Sequence, residues 1–403
     1  MRRPAVIGIA LALVAAGLVA DALTQPDPPP APTHRTPVVT ARLTAQDELR
    51  RRGQALIDTG AVGFQARIHD GRRVSTVAVG LADRGTRRPL RDTDRFEADA
   101  QTSTFAAVLT LQLVAQRKVL LDKPIENYLP GVVPGGRDIT VRMLLQHTSG
   151  LADYAADTTL RQDVVARPGT PMTTGRLLAA AFAQEPGFAP GSDWSYSGTN
   201  YVVIGQMLEK VTGRPLEDLV RERITEPLQL HDTHVTRPGS GGADAGSAHG
   251  YTVNLTTTPA TWTDTTGWAS TWSGGAGAIV STSDDLGTFF RALLSGRVLP
   301  RAQLKQMMTT RTVEGGGYGL GLSRFVTPCG QVWGESGYNL GHASLTVVTE
   351  DGRRSASADI NTARGEGDGT SRPERAFDRA SGAALATTYC QMQGKELPLS
   401  MRQ

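Results

Sequence analysis

RFEADAQTSTFAAVLTLQLVAQRKVLLDKPIENYLPG, residues 95–131, decides how this chain is read. Within it, Ser103 to Leu121 carries Phe105, Val108, Leu109, Leu111, Leu113 and Val114, apolar on most faces at helical spacing. A helix apolar nearly all round is a buried one, so this segment is expected at the centre of a core. Asp99 or Thr102 can supply its N-cap, because a short oxygen-bearing side chain satisfies the first free amides.

Outward from that helix the pattern changes. Upstream, Leu43 to Ile57 places Ala45, Leu49 and Leu56 at helical spacing. Val62 to His69 then alternates as a strand, turns at Asp70-Gly71 and resumes from Val74 to Val79, a hairpin signal. Downstream, helix patterns separated by Gly, Pro and Asp turns run to about Arg237, and Pro238 to Gly250 reads as a surface loop. A helix at Ser283 to Leu294 follows, then alternating strands from Tyr318 to Ile360 and a closing helix toward Cys390. Strands at both ends with helices between predict one sheet built from the terminal portions. The helical middle would pack beside it, with a cleft at the junction.

The bulk properties fit a globular protein. The chain has 403 residues, 39% hydrophobic and 20% charged, enough for a large core. Its net charge of +3 is spread without a block of like charges, which speaks against a nucleic-acid partner. Arg2 and Arg3 precede an apolar run from Ala5 to Ala20, and Ala20-Asp21-Ala22 offers a small-residue cleavage site. These mark residues 1–22 as a secretory signal or an N-terminal membrane anchor; no Cys follows that would carry a lipid. Residues 23–42 are a Pro-rich linker. In an exported chain the two cysteines, Cys329 and Cys390, are expected to form a disulfide, with two buried thiols as the alternative.

Several segments together resemble one family. Residues 95–131 look like the nucleophile-helix segment of class C-type serine β-lactamases and DD-carboxypeptidases. ITVRMLLQHTSGLADY (139–154), WSYSGTNYVVIGQMLEKVTG (194–213) and SGGAGAIVSTSDDLGTFFRALLSG (273–296) resemble later segments in the same order. GYGLGLSR, CGQVWGESGYNLGHASLTVV and the distant Cys390 are most similar to exported actinomycete DD-carboxypeptidases, which carry a cysteine pair in comparable places. The resemblance spans about residues 43–392 and implies an α/β, β-lactamase/DD-peptidase-like fold. Its mainly antiparallel sheet would be flanked by helices, with an interleaved helical subdomain. The α/β part would occupy about 43–99 and 268–392, the helical part about 100–267, and 393–403 a tail.

The family's chemistry needs a Ser nucleophile, a Lys one turn later on the same face, a Tyr proton shuttle with an Asn, and a K-T-G or H-x-G strand. Here the S-x-x-K motif falls on Ala100-Gln101-Thr102-Ser103, and Ala has no atom that can carry an acyl group. The Y-x-N motif falls on Tyr196-Ser197-Gly198, keeping the Tyr and losing the Asn. The H-x-G motif falls on Glu335-Ser336-Gly337, a carboxylate in place of a cation. Shifting the nucleophile to Ser103 puts Ala106 where Lys is required, and Lys118 and Lys123 lie about four or more turns on. No G-x-S-x-G elbow replaces the motif.

Each remaining candidate has a plain structural alternative. Tyr196 is a pocket group or a packing aromatic, and Ser103 without a base is a helix-satisfied hydroxyl. Glu335 is a buried base or cation binder, or a solvated strand-edge carboxylate. Trp272 is a pocket wall or core, His342 a supporting or structural imidazole, and His147 a turn stabiliser. His231 and His234 lack a third ligand, so no metal is expected, and no cofactor is called for. Three functions remain: a pseudo-enzyme binding a peptidoglycan-like peptide or related small ligand; an enzyme of altered proton-transfer chemistry; or an ordinary serine hydrolase read in the wrong register.

Overall fold

The computed structural model describes residues 44–401 apart from 168–169, 171, 237–245, 267, 269–277 and 366. Helix α1 (Ala45–Asp58) starts at Thr44, whose side chain and that of Asp47 cap each other's backbone amides. Strands β1 (Gly63–His69) and β2 (Val74–Asp83) form the expected hairpin, with the Asp70 carboxylate accepting from the amides of Arg72 and Arg73 in the turn. After β3 (Arg88–Pro89) and β4 (Phe96–Glu97), a short 3-10 turn at Asp99–Gln101 leads into α2 (Thr102–Ala115). Eleven of its residues are buried, Thr102 to Leu111 without a break and Leu113, as its apolar character predicts.

The expected N-cap is absent. Neither Asp99 nor Thr102 caps α2; the residue before it is Gln101, which makes no side-chain cap. The entry is held by tertiary contacts instead. The Ala98 amide donates to the Ile279 carbonyl, and the Thr102 hydroxyl accepts from the Ile279 amide. Thr102 is therefore used across the fold rather than along its own helix.

Helix α3 (Gly198–Thr212) packs on α2 and ends at Gly213 in the left-handed conformation. Helix α4 (Ser283–Leu294) has the bounds read from the sequence, fixed by Thr282 accepting from the Asp285 amide. Phe289 of α4 stacks on Phe105 of α2 with ring centres 3.9 Å apart. Within the span read as helical, β5 (His234–Val235), β6 (Tyr251–Asn254) and β7 (Thr261–Asp264) are strands. Strand β5 pairs with β8 (Ile279–Ser281), which also pairs with β4.

The main sheet is completed by β9 (Arg311–Val313), β10 (Gly316–Tyr318), β11 (Ser323–Thr327), β12 (Gly330–Tyr338), β13 (Ala343–Val348) and β14 (Ser355–Ile360). Its nine strands run β3-β2-β1-β14-β13-β12-β11-β10-β9, antiparallel throughout, so the two chain ends meet at the β1–β14 pair. Strand β15 (Thr362–Arg364) joins β6 and β7 in a smaller sheet. Helix α5 (Arg372–Met392) crosses one face of the main sheet beside α1, burying Phe64, Val77, Val347 and Phe377 between them. On the other face a second core forms around α2, α3 and α4. Cys329 and Cys390 are joined in a disulfide with Cα atoms 5.2 Å apart, tying the β11–β12 turn to α5.

Candidate functional site

The three degenerate motifs converge. Ala100 lies in the turn before α2, half-buried on a cavity of about 600 Å³ that it shares with Tyr196, Glu335 and Ser336. This cavity runs on along β11 and β12 to the groove beneath α5, where Phe377 and Tyr389 wall it. Asp99 holds a left-handed backbone (φ 45°), a conformation that Asp tolerates better than most residues, and its carboxylate accepts from the Tyr338 amide. Strand β12 is thereby drawn against the turn. Gly337 sits so close that a Cβ there would meet the Ala98 carbonyl oxygen at 2.1 Å, so glycine is required.

Ser103, in the family's lysine position, is 1% exposed and its hydroxyl has no hydrogen-bond partner. The sequence reading of a helix-satisfied serine is therefore not met. The hydroxyl of Thr110 does bond back to a carbonyl of α2, so the option was open to the helix and unused at Ser103.

Gly198 begins α3 with no room beside it. A Cβ there would lie 3.0 Å from Tyr154 Cε1 and 3.5 Å from Asp153 Oδ1. The space beside Gly198 is thus taken by the side chains of Asp153 and Tyr154. Burial pushes Asp153 up to about 6, against hydrogen bonds from the Ala155 and Gly198 amides.

Glu335 is the most heavily committed group in the cleft. It is 6% exposed and accepts from Ser323 Oγ at 3.2–3.3 Å and from the Ser336 amide at 3.0 Å. Burial nevertheless pushes its carboxyl up to about 7. The solvated strand-edge reading is corrected: β11 and β10 cover this edge, and the carboxyl is enclosed.

Behind Glu335 stands a chain of polar groups. His147 is fully buried with φ 57°, and its Nδ1 faces two donors, the Ser197 amide (3.3 Å) and Asn200 Nδ2 (3.0 Å). Two donors on Nδ1 assign the proton to Nε2, which then donates to the Tyr318 hydroxyl at 3.2 Å. Burial holds His147 at about 3, so the ring is neutral. The Tyr318 hydroxyl, also near Glu335, favours the ionised form of that carboxyl. His147 was expected to stabilise its own turn; its ring instead bonds Ser197, Asn200 and Tyr318 of other segments. Tyr196 is half-buried with its ring 4.7 Å from that of His147, and burial raises its hydroxyl well above the ordinary tyrosine range. It is a neutral phenol.

Two expected residues are not among those the cavity joins. Trp272 falls outside the described residues. His342 pairs with buried Asp359 at 3.1 Å; burial opposes its charge, but the carboxylate beside it prevails and its pKa rises. Among the described residues no group of three His, Cys, Asp or Glu is placed to hold a metal ion. Asp153, Tyr154 and Tyr318 belong to the site and were not singled out from the sequence. The nearest signal was their position inside quoted segments, LADY and GYGLGLSR.

An antiparallel sheet with a helical subdomain, and three short motifs meeting at their junction, define a β-lactamase/transpeptidase-like fold. The family model described as Beta-lactamase matches residues 50–381, and the chain belongs to that family. Esterase EstB of Burkholderia gladioli is 32% identical over 48% of this chain and 51% of its own. Penicillin-binding protein 4 of Amycolatopsis lactamdurans is 30% identical over 39% and 40%. The matches thus span about half or less of these curated relatives. Among solved structures, a D-stereospecific amidohydrolase from Streptomyces sp. is 39% identical over 78% of this chain and 93% of its own, with TM-score 0.71. A D-amino acid amidase from Ochrobactrum anthropi SV3 is 26% identical over 84% and 99%, with TM-score 0.69.

Proposed function

We propose that this chain is an exported, non-acylating member of its family whose cleft binds a peptidoglycan-like peptide or a related small ligand. The observation that carries the reading is at residue 100. The side chain that reaches the cavity there is a methyl group, and among the described residues no lysine lines that cavity. Acyl transfer needs a nucleophile with a neighbouring base, and Ser103 is buried with no base hydrogen-bonded to it. Similarity to a D-stereospecific amidohydrolase supports a ligand containing a D-amino acid. Export is supported by the N-terminal charge and apolar pattern and by the cysteine pair; cell fractionation tests it, and a cytoplasmic pool would overturn it.

A fluorescent penicillin tests the central reading. No covalent, denaturation-resistant label is expected, while acyl-D-Ala-D-Ala peptides or muropeptides are expected to raise Tm. Covalent labelling would sink it and return the chain to the ordinary serine hydrolases.

A second reading, proton-transfer chemistry without an acyl-enzyme, is favoured by one observation. Glu335 sits on the cavity with its carboxyl near 7, suited to take or give a proton at neutral pH. Turnover of a peptide or ester that vanishes in Glu335→Gln would support this reading.

A further inference from the structure

We infer that the ligand of this cleft carries an organic cation, a primary ammonium held at aromatic faces beside Glu335. The inference deepens the binding reading above and rests on it. Its basis is the character of the walls. Trp194, Tyr196 and Tyr318 line the cavity, with the Trp194 and Tyr318 rings 5.9 Å apart, and rings of this kind attract a cation at their faces. The neutral imidazole of His147 packs behind them, 4.7–6.3 Å from their centres, and brings no positive charge.

The charges on the same walls agree. Asp99, Asp193, Glu314 and Glu335 line the cavity, against Arg324 and Arg364. Arg364 is committed to Glu374 at 2.8 Å and Asp378 at 3.2 Å. The position that the family gives to a cation is here Glu335, so a ligand carboxylate would be repelled where an ammonium is attracted. A polar atom also remains for an occupant: the indole N–H of Trp194, on the cavity wall, is buried without a hydrogen-bond partner.

The groups around Glu335 fix how binding depends on pH. Tyr318 approaches from β10, Ser323 from β11, and the Ser336 amide from its own strand; Tyr196 and Tyr201 stand on the α3 side. The phenols stay protonated, so among its own contacts Glu335 is the group that titrates near neutrality; Asp153, beside Gly198, is pushed up to about 6. An ammonium favours its ionised form, and affinity should fall as pH drops below about 7.

The experiment uses the exported chain and two probes, Nα-acetyl-D-lysyl-D-alanine and the same peptide acetylated at Nε. Binding is read by calorimetry and Trp fluorescence at pH 8 and pH 5.5. The free ammonium should bind at least tenfold more tightly at pH 8, and the preference should shrink at pH 5.5. It should also shrink in Glu335→Gln and in Asp99→Asn, a change that keeps a residue tolerant of the left-handed backbone. Should Glu335→Gln not fold, Asp99→Asn decides. Equal or tighter binding of the fully acetylated peptide would overturn the cation inference and leave the binding reading standing. Failure of both probes to bind would overturn both. A preference unchanged in the variants would overturn the placement beside these carboxylates.

Discussion

Replacing Glu335 by Gln should make the protein more stable at high pH, by an amount the burial of this side chain sets. The carboxyl is enclosed by Ser323, Tyr318 and the Ser336 amide, and it moves from an ordinary 4.5 to about 7 on folding. The unfolded chain loses this proton near 4.5, while the folded protein keeps it to about 7. Over that window the folded state binds more protons, so stability falls as pH rises, and the penalty is complete above about 7. At 1.36 kcal/mol per pH unit it amounts to about 3 kcal/mol. Glutamine keeps an acceptor for the Ser336 amide and carries no charge, so the variant does not pay this cost. Urea unfolding at pH 4 and pH 8 reads the effect as a double difference, in which groups common to both proteins, Asp153 and His147 among them, cancel. The stability difference between variant and parent should swing by about 3 kcal/mol toward the variant between the two pH values. Parallel pH profiles for the two proteins would refute the burial argument, because they would mean that Glu335 ionises as freely folded as unfolded.

Other perturbations test other parts of the site. Gly198→Asn should destabilise by about 1–3 kcal/mol in urea unfolding through collision with Tyr154, and Tyr154→Ala should recover part of the loss. Gly337→Ala forces a methyl into the Ala98 carbonyl and should cost at least as much, with Tm as the readout. The pair Ala100→Ser with Ser103→Lys should gain slow covalent labelling by fluorescent penicillin, and mass spectrometry should place the label at position 100. Removing both cysteines should lower stability by about 2–4 kcal/mol, since the bridge closes a loop with a sequence separation of 61.

How much of this was legible in the sequence depended on whether the cause was local. The burial of α2, the hairpin at Asp70-Gly71 and the bounds of α4 follow from periodicity and capping, which act within a few residues. The N-cap of α2 was misread because Thr102 spends its hydroxyl on Ile279, which lies far along the chain. The two- to four-residue strands β5, β6 and β7 carry too little pattern to be separated from turns. In the site, the positions of Ala100, Tyr196 and Glu335 followed from motif order, and the cavity joins them. The His147–Tyr318 pair behind Glu335 did not follow, because its members come from separate elements and each, alone, reads as a core residue.

The packing of Tyr154 beside Gly198 makes these two positions interdependent. A chain with serine at position 100 would still lack the asparagine, which enters only if Tyr154 gives way by a few tenths of an ångström. A lysine at position 103 would arrive buried, where an isolated charge is costly. Asparagine at 198 and lysine at 103 would therefore each cost stability when introduced alone.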